Sequence, residues 1–91
     1  MLDEPALSKR EVLCDMGYDD AVVFENPDYD EAIIGISSDG RVVYDYDLMV
    51  ECLMQEDGMD ELEAMEFIDY NTIRAAEYIS DGPIVMFRLR E

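Results

Sequence analysis

Carboxylates are the one reactive group that this chain offers in quantity. Asp and Glu number 24 against 6 Lys and Arg, with no His, giving a formal net charge of −18 over 91 residues. Carboxylates can ligate hard cations, exchange protons in pairs, or attract cationic surfaces, and their spacing decides among these. Asp28-Tyr29-Asp30 and Asp45-Tyr46-Asp47 both begin like a calcium loop. Neither has glycine at position six, and Ala32 and Met49 stand at position five, where an oxygen ligand belongs. Proton exchange needs two carboxylates singled out from their neighbours, and acids spread along the whole chain single out none. Nucleophilic catalysis lacks an imidazole base, and zinc lacks His and paired Cys. No glycine-rich phosphate loop is present. The expectation is a non-enzymatic protein without cofactor or metal.

Attraction of a cationic surface remains, and the distribution of charge favours it. The basic residues are Lys9, Arg10, Arg41, Arg74, Arg88 and Arg90, so 11–40 and 42–73 are purely acidic. The first block centres on Glu25, Asp28, Asp30 and Glu31. The second holds Asp45, Asp47, Glu51, Glu56, Asp57, Asp60, Glu61, Glu63, Glu66 and Asp69. Helical carboxylates three or four residues apart lie about 5–6 Å from each other. That is comparable to the separation of successive phosphates on one DNA strand, which rises about 3.4 Å per nucleotide. At helical spacing Glu63, Glu66 and Tyr70 share a face, with Leu62, Met65 and Ile68 expected on the other. Glu25, Asp28, Asp30, Asp57, Asp60, Glu63, Glu66 and Asp69 are the candidate partner-binding carboxylates. Tyr29 and Tyr70 are candidate aromatic anchors, because a ring among acids can stack on an arginine. Solubility and the helix macrodipole also account for acids such as Asp45, Asp47, Asp60 and Glu61.

The elements that must position these residues make one domain, 1–91. Hydrophobic residues are 49% and aromatic residues 10%, too many for an acidic disordered tail. Ser8-Lys9-Arg10-Glu11 is a capping box opening a helix with Leu7, Val12, Leu13 and Met16, stopped by Gly17. Asp20 to Phe24 reads as a strand, and Asn26-Pro27-Asp28 as a turn. Ala32–Ser37 and Arg41–Tyr44 flank Ser38-Asp39-Gly40 as a hairpin. Asp45 or Asp47 caps a helix to about Asp57, ended by Gly58. Asp60 caps another, with Glu63 at the reciprocal position, running to about Tyr70. Asn71 and Thr72 are expected to break it before a short turn through Ala76. Asp81-Gly82-Pro83 then turns into a strand over Ile84–Leu89.

The predicted class is α+β, an antiparallel three- to four-stranded sheet with helices packed on one face, in the order α-β-β-β-α-α-β. The predicted core is Val22, Val23, Phe24, Ile33, Ile34, Ile36, Val42, Val43, Leu48, Leu53, Leu62, Met65, Ile68, Ile84, Val85 and Phe87. Cys14 and Cys52 read as small buried hydrophobes in a reducing compartment. The acidic Met1–Pro5 segment is unlike a secretory leader, and no apolar run approaches the roughly 20 residues of a membrane span. Anionic lipid would repel this charge, so a cytoplasmic location is expected.

Gln55-Glu56-Asp57-Gly58-Met59, then Glu63 through Ala75, then Pro83-Ile84-Val85-Met86-Phe87, resemble a family of small acidic proteins from Gram-positive bacteria and their phages. The resemblance covers the C-terminal half, and Glu77 stands before Tyr78 where the family often has proline. It implies a mobile-element setting rather than an activity. In size, acidity and layout the chain also resembles anti-CRISPR proteins that block type II effector nucleases by mimicking DNA. The expected function is therefore an inhibitor that binds a basic DNA-binding host protein, most concretely a CRISPR effector nuclease, without touching nucleic acid or membrane. The alternative is an interaction module that forms a homo-oligomer or binds a host factor through an apolar patch of Met49, Met54, Met59 and Met86.

Overall fold

The computed structural model describes residues 8–25 and 27–89. Expectations placed on Met1–Pro5, Ala6, Leu7, Asn26 and Arg90 lie outside the described residues. The elements run α1 (Lys9–Asp15), a 3-10 turn (Asp30–Ala32), β1 (Ile33–Ile36), β2 (Val42–Asp45), α2 (Tyr46–Glu56), α3 (Glu61–Phe67), a π-helical turn (Ile68–Ile73), α4 (Arg74–Ala76) and β3 (Ile84–Met86). The class is α+β.

Local chemistry starts α1, α2 and α3 with side-chain caps. Ser8 Oγ accepts from the Glu11 amide at 3.2 Å, and Glu11 answers the Ser8 amide at 2.9 Å. Asp45 caps α2 through the Leu48 amide at 3.2 Å. Asp60 and Glu63 form a second capping box, at 2.8 and 3.2 Å. Each such cap contributes about 1 kcal/mol. Gly58, at φ +70, closes α2 in the left-handed region that side chains disfavour.

Asn71 and Thr72 do not break the rod. Backbone angles at Phe67, Ile68, Ile73 and Arg74 all remain right-handed helical, so 61–76 is one continuous body. The widened turn accommodates Thr72, which is buried, while the Asn71 side chain donates to the Phe67 carbonyl at 3.2 Å. Single π turns inside α-helices are the usual form of this rare geometry.

The sheet is three-stranded and mixed, in the order β1-β2-β3. β1 and β2 pair antiparallel with Ile36 opposite Val42 and Ile33 opposite Tyr44, irregular between Ile33 and Gly35. Gly40, at φ +84, makes the hairpin turn. β3 pairs parallel to β2, with Val43 opposite Ile84 and Asp45 opposite Met86. This corrects the antiparallel expectation. Asp45 is both the last residue of β2 and the cap of α2, so the chain leaves the strand directly into helix. It returns only after the whole 46–83 crossover, running in the same direction, as parallel pairing requires.

The strand expected at Asp20–Phe24 is absent, and the order has one strand fewer. Side chains take the backbone groups of Phe24, while the Ala21 amide donates to the Tyr18 carbonyl at 3.1 Å. The Phe24 amide donates to Tyr44 Oη at 3.0 Å, and Arg10 Nη2 donates to the Phe24 carbonyl at 2.7 Å. β3 ends at Met86 rather than Leu89.

The core is aromatic at its centre. Phe24 meets Tyr29 edge-on at 5.7 Å and Tyr44 at 4.7 Å between ring centroids. Around them lie Leu13, Ala32, Ile33, Val42, Met49, Val50, Leu53, Ala64 and Ile68. Five expected core residues are exposed: Val22, Ile34, Leu62, Met65 and Phe87. The rod buries a narrow row, Ala64, Ile68 and Thr72, at four-residue spacing. That row, and not Leu62 and Met65, faces inward. Cys52 is buried but Cys14 is exposed, and both thiols are free, which corrects the expectation for Cys14.

Candidate acidic interaction surface

Basic side chains are used inside the fold. Lys9 Nζ donates to the Ile33 carbonyl at 2.9 Å, fastening α1 to β1. Arg10 binds Asp30 through Nε at 2.8 and 3.0 Å and lies 3.5 Å from Glu25. Its bond to Asp30 raises the already high pKa of the guanidinium. Arg41 Nε donates to the Gly82 carbonyl at 2.9 Å, fixing the loop before β3. Arg74 lies 5.3 Å from the centre of the Tyr70 ring. Arg88 Nε donates to Asp45 at 2.7 Å. Asp45 is the one buried carboxylate among the described residues. Burial pushes its pKa up, but the bonds from Arg88 and the Leu48 amide outweigh this and hold it below the usual range. Every basic residue described is thus engaged internally, while most carboxylates face solvent.

The two acidic blocks, distant in sequence, meet in space. Tyr29 Oη and Thr72 Oγ1 share a buried hydrogen bond of 2.7 Å, which ties the 25–30 loop to the rod. Two adjoining depressions share Phe67 and Asn71. One is lined by Glu25, Pro27, Tyr29, Thr72, Ala75 and Ile79, the other by Met59, Glu63, Glu66 and Tyr70. The result is a shallow groove with an apolar floor and acids along its rim. Asp28 and Glu31 lie close enough to Cys52, together with Glu56, to help burial push its thiol up to about 11. Asp57, the C-cap of α2, approaches Tyr29.

The expected site residues therefore divide. Glu25, Glu63, Glu66 and Tyr70 line the groove, and Tyr70 is exposed. Asp28, Asp57 and Asp60 are exposed nearby, at the loop and at the junction of α2 with α3. Asp60 and Glu63 also serve as caps. Asp30 is partly buried against Arg10, so its charge is matched within the chain. Asp69 points elsewhere and accepts from Tyr46 Oη at 3.2 Å. Burial, aided by Asp69, pushes the Tyr46 phenol up to about 12.

Tyr29 is a correction. It is 2% exposed and belongs to the core, so it offers no ring to a partner. Its hydroxyl has Thr72 and its ring has Phe24, which satisfies both halves of the side chain. Burial raises its phenol above the ordinary range. Met49, expected in an apolar patch, is also fully buried.

Phe67 was missed by the sequence reading. It lies four residues after Glu63 and three before Tyr70, and that spacing is the signal that would have found it. Among the described residues no three Cys, Asp or Glu side chains are grouped to hold a metal ion, and no helix is long and apolar enough to cross a membrane. Compared with protein-family models, with curated proteins and with solved structures, the chain has no match.

Proposed function

We propose that this protein is a non-catalytic cytoplasmic inhibitor that occupies the DNA-binding surface of a basic host protein by electrostatic mimicry of DNA. The observation that carries the reading is the rim of Glu25, Glu63 and Glu66 around a groove floored by Met59 and Phe67. Of the chain's own cations, Arg10 lies 3.5 Å from Glu25 and Arg74 lies beside Tyr70, while Glu63 and Glu66 make no ion pair among the described residues and are left to a partner's Lys and Arg. Tyr70 supplies an exposed ring at the end of the row, and Arg74 already illustrates a guanidinium against it. The most concrete target is a type II CRISPR effector nuclease, whose PAM-reading and strand-holding surfaces are rich in arginine and lysine. The setting in phages or mobile elements rests on the resemblance of the C-terminal half.

The test is capture from a Gram-positive bacterial lysate with the full chain as bait, eluted by a salt gradient and competed with duplex DNA. Mimicry expects a DNA-binding protein that elutes at moderate salt and is displaced by duplex DNA. Glu63→Lys with Glu66→Lys should abolish capture without unfolding, since both side chains are exposed and losing the Glu63 bond to the Asp60 amide costs only about 1 kcal/mol. A partner indifferent to salt, to DNA and to this pair refutes the reading.

A second reading, an apolar interaction patch, keeps Met54 but loses Met49. Exposed Met54, Leu62, Met65 and Phe87 favour it. Salt separates the two, because apolar contacts persist as ionic strength rises.

A further inference from the structure

We propose that the cleft between α2 and α3 receives an arginine side chain carried by a basic partner. This rests on the reading that the partner is basic, but uses a different surface from the groove around Phe67. The cleft has a volume of about 320 Å³, at the small end for ligand sites. That suits one long side chain better than a cofactor.

Its floor is apolar and open to solvent. Val50 and Met54 come from α2 and Met65 from α3. Met54 is 40% and Met65 37% exposed, although neither is charged or polar. Unbranched methionines adapt to an occupant's shape, and an arginine stem is three methylenes that prefer such a surface. Its walls are acidic. Glu51 stands on α2 and Glu61 on α3, both exposed, with Asp47 at the same end as Arg88. Against these three carboxylates Arg88 is the one cation of the lining, leaving an excess of 3 − 1 = 2 negative charges.

Arg88 also shows which cation suits the walls. Its Nε donates to Asp45, behind the cleft, at 2.7 Å and lies 3.7 Å from the wall residue Asp47, so a guanidinium already sits beside these carboxylates. A lysine ammonium is a point charge without the guanidinium fork. Glu51 and Glu61 stand on the α2 and α3 walls, where the several N–H groups of an arginine head can address both. A second copy of this chain is a poor occupant, because two chains of net charge −18 repel.

The test follows backbone amides and methionine methyls of the full chain by NMR at low ionic strength. The probe is a capped peptide alternating Arg and Gly, compared with its Lys and Gly counterpart. Shifts should centre on Met54, Glu61 and Met65, and the Lys peptide should bind more weakly. Glu51→Gln with Glu61→Gln should weaken the Arg peptide about tenfold, as expected for losing charge-assisted hydrogen bonds. Glu77→Gln, exposed and outside both surfaces, should leave it within about twofold. Shifts centred on Glu63 to Tyr70, equal binding of the two peptides, or an unchanged affinity in the Glu51/Glu61 pair would overturn the proposal. The groove is read separately by Glu63→Lys with Glu66→Lys in the lysate capture, so failure of the cleft and failure of the groove are distinguishable.

Discussion

Replacing Tyr29 by Phe should destabilise the protein while leaving its acidic surface intact. The substitution keeps the ring that packs on Phe24 and removes only the hydroxyl shared with Thr72. Thr72 is 7% exposed, so its oxygen would be left in the interior with its partner gone. An unsatisfied buried group of this kind costs about 1–3 kcal/mol. For a domain of this size each kcal/mol lowers the melting temperature by about 4–8 °C. A fall of about 4–24 °C is therefore expected, read by circular dichroism during heating. Tyr29→Phe combined with Thr72→Val removes both halves of the bond and should recover much of the loss, because no orphaned group remains. Capture of a basic partner should survive in every variant that is folded at the assay temperature. An unshifted melting temperature in Tyr29→Phe would refute the buried bond. A stable Tyr29→Phe that loses the partner would show that the hydroxyl faces outward.

Three further outcomes test other parts of the structure. Asp45 has a folded pKa below its unfolded value, so its contribution is present above about pH 4 and is lost as pH falls through the folded value. Asp45→Asn should lower the urea midpoint at neutral pH and flatten its decline in acid; parallel curves for the two proteins would contradict this. Cys14 is exposed, whereas Cys52 is buried with its thiol pushed up to about 11. A disulfide reagent at mildly alkaline pH should therefore modify one thiol at once and the other only on unfolding, and a single common rate would be inconsistent with that. Asp60→Ala removes the cap of α3 and should cost about 1 kcal/mol, with Asp60→Asn close to wild type in thermal unfolding. Equal losses in the two variants would mean that the charge of Asp60, not its capping bond, matters.

How legible each part was depended on the distance over which it is determined. Caps at Ser8 and Asp60, and the turn at Gly40, depend on neighbours a few residues away and were legible; the cap of α2 was narrowed to Asp45 or Asp47, and Asp45 fills it. The segment at Asp20–Phe24 has strand-like residues, but its hydrogen bonds come from Arg10 and Tyr44. No local pattern announces that a phenol and a guanidinium will replace a neighbouring strand. The direction of β3 was hidden in the same way, since it follows from the path of the entire helical crossover. Leu62 and Met65 were expected inward, with Ile68, from helical spacing and hydrophobicity, and only Ile68 is buried. The buried row instead uses Ala64, small enough for the helices to approach, and Thr72, whose hydroxyl becomes tolerable only once Tyr29 answers it. In the candidate site, Glu63, Glu66 and Tyr70 were readable from helical spacing. The addition of Glu25 to the same groove, and the withdrawal of Tyr29 into the core, depend on that one long-range bond.

The central claim is that the groove competes with DNA for a basic protein. Its most direct measurement is the affinity of a purified type II effector nuclease for this chain across a series of salt concentrations, with and without duplex DNA carrying the PAM. The logarithm of affinity should fall steeply and linearly with the logarithm of salt, and duplex DNA should exclude the protein. An affinity unchanged by salt, or a complex that binds DNA and this protein together, would contradict it.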